Sequence, residues 1–381
     1  MTQLARMEDT TKQSALYLSV ELSSSQWKLT FGDGERVRER NVDTGNLDAL
    51  SREIEQAKWK LELPADCPIH SCYEAGRDGF WLHRELLKRG IGNLVVDPSA
   101  IEMSRRMRQL KTDRVDGRKL LAQLVRYLRG ERGALRVVRV PSAEAEDARR
   151  PERERKRLQG ERTGHRNRIG ALLILHGVRF ALNLNVGVEQ FKTALEKRPT
   201  PTGELLPTAL RAEVVREYER LLAVQKQLRE VEAEIAAWRK AKKHPWAKKM
   251  DQLCQLCGVG EKSSDLLVRE FFGWRVFANR RQLASAAGLT PTPFASGTVD
   301  REQGISKAGN ARVRALLVEM AWLWLRRQPH SQLADWFHER FGKSGKRSRR
   351  VGIVALARKL LIALWRFLEQ GVIPEGALLK A

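Results

Sequence analysis

Three short runs rich in β-branched, aromatic and apolar residues stand ahead of any helical pattern, and that order most tightly limits the fold. The runs are Leu16 to Leu22 (LYLSVEL), Gln26 to Phe31 (QWKLTF) and Glu35 to Val42, the first two separated by a Ser-rich turn that predicts a hairpin. Leu47, Leu50, Ile54, Ala57 and Leu61 then recur at helical spacing, with Asn46 placed to cap the helix. A strand (Ile69 to Tyr73), a helix (Gly79 to Lys88), a strand (Asn93 to Asp97) and a helical stretch from Ser99 through Leu128 follow. An antiparallel meander succeeded by β–α units makes an α/β layer.

This order suits a ribonuclease H or RuvC type of fold, although other α/β folds share parts of it. From Ala143 to Gly177 the chain becomes an Arg-rich helical region, and Arg198 to Pro207 (RPTPTGELLP) breaks it with three prolines and a glycine. Val214, Leu221, Leu228 and Ile235 then repeat every seven residues, with Leu210, Val224, Val231 and Trp238 on the alternate seam and Glu217 as the exception. Such a seam must bury against a helix of the same chain or of a second protomer; we expect a dimer. Met250 to Arg340 reads as mainly helical, and Val351 to Leu368 as a last amphipathic helix after the basic run Lys343 to Arg350. The expected class is therefore α/β plus α. It comprises a RuvC/ribonuclease H-like domain (15–140), a basic helical region with a coiled coil (141–245) and a helical C-terminal domain (246–381).

The chain holds 70 Lys and Arg against 46 Asp and Glu, a formal charge of +24. Such self-repulsion points to a polyanionic partner, nucleic acid by default; a basic solvated face or a membrane-surface protein is the alternative. Residues 101 to 170 carry 21 basic and 10 acidic side chains, concentrating the positive field. Nothing is apolar enough to span a bilayer, and Met1 to Ser14 has no secretory pattern, so we expect a cytoplasmic protein. Cys67, Cys72, Cys254 and Cys257 are too few for a disulfide framework, and the single CxxC has no second ligand pair; buried, unliganded thiols are expected.

Phosphodiester chemistry with a hard divalent cation needs oxygen ligands converging from separate elements. Glu21 lies in the first strand, Glu74 ends the fourth, and Asp113 and Asp116 open a helix one turn apart. By themselves, an Asp pair at a helix start is more often a cap or a dipole partner. Ser296, in Pro-Thr-Pro-Phe-Ala-Ser-Gly, is by itself a turn serine with no evident base nearby in sequence.

Two long segments add to this. CYEAGRDGFWLHRELLKRG (Cys72 to Gly90) with KTDRVDGRKLL (Lys111 to Leu121) resembles the N-terminal domain of the DEDD insertion-sequence transposases, which have a RuvC-like fold. RQLASAAGLTPTPFASGTVDREQGISKAGNARVRALLVEMAW (Arg281 to Trp322) resembles the C-terminal domain of the same family, with its Ser-Gly and Ile-Ser-Lys-x-Gly-Asn elements. The resemblance runs from about Leu16 to the final helix.

It implies that Glu21, Glu74, Asp113 and Asp116 are the four acidic ligands of a Mg2+ site and that Ser296 is the nucleophile. The family usually has Asp where this chain has Glu21, and the longer arm moves the carboxylate outward. The resemblance further implies that the two domains form a composite site, that a 5′-phosphoserine linkage conserves bond energy, and that a structured noncoding (bridge) RNA pairs with double-stranded donor and target DNA. A homo-oligomer is implied as well, a dimer or a tetramer on DNA.

Gly258 and Gly260 in Leu256 to Gly260 match either a helix-hairpin-helix turn or a plain inter-helix turn. Lys307, Arg312 and Arg314, read as helical, are candidate phosphate contacts or a solvated face, and the Arg-rich helix around Arg149 to Arg168 offers the same two readings. The rival functions are a RuvC-like nuclease or junction resolvase that leaves the serine idle, and a catalytically impaired RNA- and DNA-binding protein.

Overall fold

The computed structural model describes residues 14–98, 113–179, 181–241, 245–296 and 299–380. The chain divides into two compact units, Met1–Val140 and Pro141–Ala381. It is a mixed α/β protein, mostly helical.

The first unit runs β1 (Leu16–Glu21), β2 (Gln26–Gly32), β3 (Val37–Asp43), α1 (Leu47–Lys60), β4 (Ile69–Glu74), α2 (Trp81–Lys88), β5 (Gly92–Val96) and α3 (Asp113–Leu128). Its sheet has the order β3-β2-β1-β4-β5. Short turns join β1, β2 and β3, which therefore pair antiparallel, whereas β4 and β5 return through helices and pair parallel. Asn46 caps α1 as expected, its side chain accepting from the Ala49 N–H at 2.9 Å.

Alternation along the strands feeds two cores. Leu16, Leu18 and Val20 pack with Trp27, Leu29 and Phe31 under α1 and α2, through Leu50, Ile54, Leu82 and Leu86. On the opposite face Cys72, Leu94 and Val96 meet Leu120, Leu124 and Tyr127 of α3. Each fully buried Leu or Phe contributes about 1.5–3 kcal/mol. These two apolar layers thus fix α3 to one sheet face and α1 with α2 to the other.

The second unit begins with α4 (Ala143–Asp147), α5 (Arg150–Ile174), α6 (Val188–Glu196), α7 (Thr208–Ala241) and α8 (Ala247–Cys254). It continues with α9 (Glu261–Leu267), a π-helical turn (Val268–Phe272), α10 (Arg280–Ala286), β6 (Pro291–Ser296), β7 (Val299–Ile305), α11 (Ala311–Arg327), α12 (Gln332–Phe341) and α13 (Lys346–Gln370). Leu356, Leu360 and Leu364 of α13 centre its core against Leu317, Met320 and Trp324 of α11 and Phe337 of α12.

The heptad seam on α7 is covered from within the chain. Val214 and Leu221 pack with Ile169 and Leu173 of α5, and Leu228 and Val231 with Leu158, an antiparallel pair. Glu217, the break in the repeat, is buried and accepts from His165 Nδ1 at 2.7 Å, from Arg168 Nη1 at 3.1 Å and from Arg220 Nη1 at 2.5 Å. Of the two partners open to this seam, a helix of the same chain covers Val214, Leu221, Leu228 and Val231, so the seam by itself gives no argument for a dimer.

The β6–β7 hairpin is absent from the mainly helical expectation for this stretch. Pro291 and Pro293 lack the N–H of a central strand, and a two-stranded ribbon tolerates them at its edges. Among the described residues no helix is long and apolar enough to cross a membrane.

Candidate active site

In β1 and β4 the parallel register runs through Ser19 with Cys72 and Val20 with Tyr73, so Glu21 and Glu74 come next, at the ends of adjacent strands. By alternation both lie on the face of Ser19 and Cys72, the face covered by α3. Helix α3 approaches this corner closely: the Ser19 hydroxyl donates to the Gly117 carbonyl at 2.7 Å in a buried contact. A Cβ at Gly117 would stand 2.6 Å from Thr30 Oγ1 and 2.9 Å from Glu21 Oε1. Only glycine permits that approach.

Sequence reasoning missed Gly117, although its place directly after Asp116 is visible. Asp113 and Asp116 open α3 at this end, but their side chains lie outside the described residues. Among the described residues no group of three or more His, Cys, Asp or Glu is gathered for a metal ion. Cys72, buried beneath α3, has its thiol pushed well up by desolvation and stays inert.

Ser296 ends β6 and pairs with Val299 at the tip of the hairpin; its side chain lies outside the described residues. The base of the hairpin is clamped. Ser306 N–H donates to the Thr290 carbonyl at 2.8 Å, Lys307 N–H to Gly288 at 3.2 Å, and Asn310 N–H to Ala286 at 2.8 Å. Arg314 Nη1 donates to the carbonyls of Ala287 and Lys307, at 3.2 and 3.0 Å. Gly309 is held so tightly that a Cβ would lie 2.5 Å from the Gly288 nitrogen.

Lys307 is therefore in the clamp rather than on a helix, with φ of 57°, and α11 starts only at Ala311. The physical reason is that Gly309 and the Asn310 cap separate it from the helix, Asn310 accepting from the N–H groups of Arg312 and Val313. Arg314 serves the clamp, whereas Lys307 and Arg312 are exposed and their side chains make no bond among the described residues.

One link runs from the clamp into the core. The Asn310 amide donates to Glu270 Oε2 at 3.2 Å, and Arg153 of α5 forks the same carboxylate at 2.7 and 2.9 Å. Burial raises the Glu270 carboxyl's pKa, but the Arg153 hydrogen bonds outweigh it and hold the group below the usual carboxylate range. Glu270 sits in the π-helical turn, a distortion common near functional sites. No local signal could have revealed it, since its partners are distant in sequence.

The other candidate contacts have these surroundings. A Cβ at Gly258 (φ 87°) would meet Arg327 Cβ at 3.2 Å, so this turn between α8 and α9 is shaped by packing on α11. Gly260 is the N-cap of the short α9. On α5, Arg153, Arg155, Arg157 and Arg168 each hold a carboxylate, in keeping with a salt-bridged helix. Cys254 is half-buried rather than fully buried, because its thiol lines a groove beside Arg239 Nη2 (3.2 Å) and Ser264 Oγ (3.1 Å).

Residues 250–334, which contain the hairpin and its clamp, match the model of the "Transposase IS116/IS110/IS902 family". Over 380 residues the chain is 43% identical to "Putative transposase y4rJ" of Sinorhizobium fredii (strain NBRC 101917 / NGR234), covering 96% of this chain and 95% of that protein. The chain belongs to the IS116/IS110/IS902 family of transposases. This insertion-sequence transposase is also similar to the "Transposase for insertion sequence element IS1111A" of Coxiella burnetii (strain RSA 493 / Nine Mile phase I), 23% identical over 86% of this chain and 85% of that one. With the "Transposase for insertion sequence element IS1328" of Yersinia enterocolitica it shares 26% identity over 58% of this chain and 62% of that one.

Proposed function

We propose that this transposase cuts and rejoins double-stranded DNA through Ser296, with Glu21, Glu74, Asp113 and Asp116 holding Mg2+ in a RuvC-like N-terminal domain. A structured noncoding RNA of the element would select the donor and target sites by base pairing. The convergence of the ends of β1 and β4 with the start of α3 carries this reading, since it draws Glu21, Glu74 and the Asp113–Asp116 turn toward one corner of the sheet. The sheet order, an antiparallel meander joined to a parallel pair, supports the RuvC-like assignment.

The donors suit magnesium, which takes carboxylate and water oxygens, and Gly117 lets the start of α3 come close to the Glu21 carboxylate and the Thr30 hydroxyl. When bound, the ion would polarise the scissile phosphate and offset charge in the transition state. The Ser296 oxygen forms a bond to phosphorus while the bond from phosphorus to the 3′ oxygen breaks. The hydroxyl gives up its proton, and the departing 3′ oxygen takes one up. Attack by another strand's 3′-hydroxyl on the 5′-phosphoserine reverses the exchange and frees the serine.

The clamp holds the base of the hairpin that bears the nucleophile, limiting the motion of Ser296 during attack. Exposed Lys307 and Arg312 stand beside that base as phosphate contacts. The net charge of +24 and the low aromatic content of 7% support backbone recognition, which accords with base pairing by an RNA partner. The active form would be a homo-oligomer, a dimer or a tetramer on DNA.

The test is a Ser296→Ala protein incubated with element-end DNA and Mg2+, then resolved on a denaturing gel. The wild type is expected to leave a covalent protein–DNA band that the variant lacks. Full strand cleavage by the variant would instead favour a nuclease using water.

A further inference from the structure

From Arg340 to Leu368 the chain has no Asp or Glu, and five of its cations, Lys343, Lys346, Arg347, Arg349 and Arg350, fall within eight positions. All five are exposed, and none of their side chains forms an ion pair or hydrogen bond among the described residues. Over the first turns of α5, equally rich in arginine, the guanidinium groups are matched: Arg150, Arg153, Arg155 and Arg157 each meet an Asp or Glu. Absence of a counter-charge, rather than charge density, sets the start of α13 apart.

That absence works against the fold. Four cations occupy the first five positions of α13, where the helix dipole already presents its positive end, and Lys346 and Arg350 repel each other one turn apart. Gly345 at the N-cap offers no side-chain hydrogen bond, and no acidic residue stands in the first turn. A local arrangement that violates several stabilising rules together, with no compensation among the described residues, marks a surface kept for an external anion.

We infer that the start of α13, together with Lys343, docks the sugar-phosphate backbone of duplex DNA without regard to sequence. At about 100° per residue the four helical cations cover an arc of about 160°, a stripe rather than a ring. Gly345, Lys346, Arg347, Ser348 and Val351 line an open groove along it. No aromatic side chain stands among residues 342 to 350, so unstacked bases have no platform there and the phosphates supply the contact. Duplex DNA is the occupant because a transposase must hold it whichever nucleophile it uses; the inference rests on family membership and not on Ser296 or magnesium.

The experiment measures binding of the full-length protein to a fluorescent random-sequence duplex across a salt series. It compares wild type with K346Q/R347Q/R349Q/R350Q and with the ion-paired control R150Q/R157Q. Loss of four phosphate contacts should flatten the plot of log affinity against log salt by about 3–4, at roughly 0.9 per contact, while the control keeps the wild-type slope. Single R347Q and R350Q variants should each remove about one contact's worth of slope. Thermal melting of the quadruple variant should match or exceed wild type, because repulsion at the helix start is relieved.

An unchanged slope in the quadruple variant overturns the inference. A slope that falls only for an RNA hairpin of equal charge overturns it in favour of RNA. The quadruple variant should still form the covalent adduct at saturating DNA, which keeps failure here distinct from failure of the serine mechanism.

Discussion

Arg153 on α5 grips both carboxylate oxygens of Glu270, 117 residues farther on, at 2.7 and 2.9 Å. Glu270 also receives the amide of Asn310, the residue that closes the hairpin clamp and caps α11. A single buried carboxylate thus ties the base of the Ser296 hairpin to the long paired helices of the same unit.

Removing the arginine leaves that carboxylate buried and short of partners. Arg153→Ala should destabilise the protein by about 2–3 kcal/mol, toward the low end for a broken buried pair because the Arg153 side chain is itself 43% exposed. Urea unfolding followed by circular dichroism gives the value. A midpoint unchanged from wild type would show that the pair contributes nothing.

The same pair sets a pH dependence. Glu270 has its folded pKa below the ordinary value of 4.5 because Arg153 holds it ionised, so its stabilisation is complete above that value. It is lost as pH falls through the folded pKa. Melting temperature measured from pH 6 downward should therefore drop more steeply in wild type than in Glu270→Gln. Parallel curves would remove Glu270 from the account.

Gly117 offers a test in which the sign is diagnostic. In a helix interior Gly→Ala is ordinarily favourable by about 1 kcal/mol. Here the added methyl falls within 3.0 Å of Thr30 Oγ1 and Glu21 Oε1, so Gly117→Ala should destabilise by about 1–3 kcal/mol and reduce Mg2+-dependent cleavage. Gly117→Ala with Thr30→Ala removes the nearest atom and should recover part of the loss. Stabilisation by Gly117→Ala alone would contradict the close approach of α3.

Glu21 can be interrogated by length. If it is a working ligand, Glu21→Ala should lower cleavage of element-end DNA by roughly 100-fold or more, in line with loss of one electrostatic contact to a reacting phosphate. Glu21→Asp restores the usual family residue and should retain activity. Cleavage by the alanine protein equal to that of wild type would remove Glu21 from the metal site.

The β-type runs, the Asn46 cap and the alternation of Leu16, Leu18 and Val20 were legible in the sequence because strands and capped helices are specified by neighbours two to four residues apart. The acidic residues at strand and helix ends, and the serine in its Pro-rich approach, were likewise visible as candidates. Their positions, however, came with a choice between chemistry and ordinary caps or turns. The hairpin around Ser296 was not legible, since Pro291 and Pro293 lack the N–H of an ordinary strand and the clamp at Lys307 to Asn310 that closes its base is a tertiary feature.

By itself the sequence determined the order of elements, the two faces of each strand, the heptad stripe on α7 and an excess of positive charge seeking a polyanion. Only the tertiary structure decided that this stripe is buried by α5, that Glu217 fits the seam through His165, Arg168 and Arg220, and that Gly117 admits α3 against Glu21. It likewise decided which arginines are neutralised and which face solvent without a counter-charge. The reason is range: periodicity and capping act over a few bonds along the chain, whereas burial and charge pairing depend on which distant surfaces come into van der Waals contact.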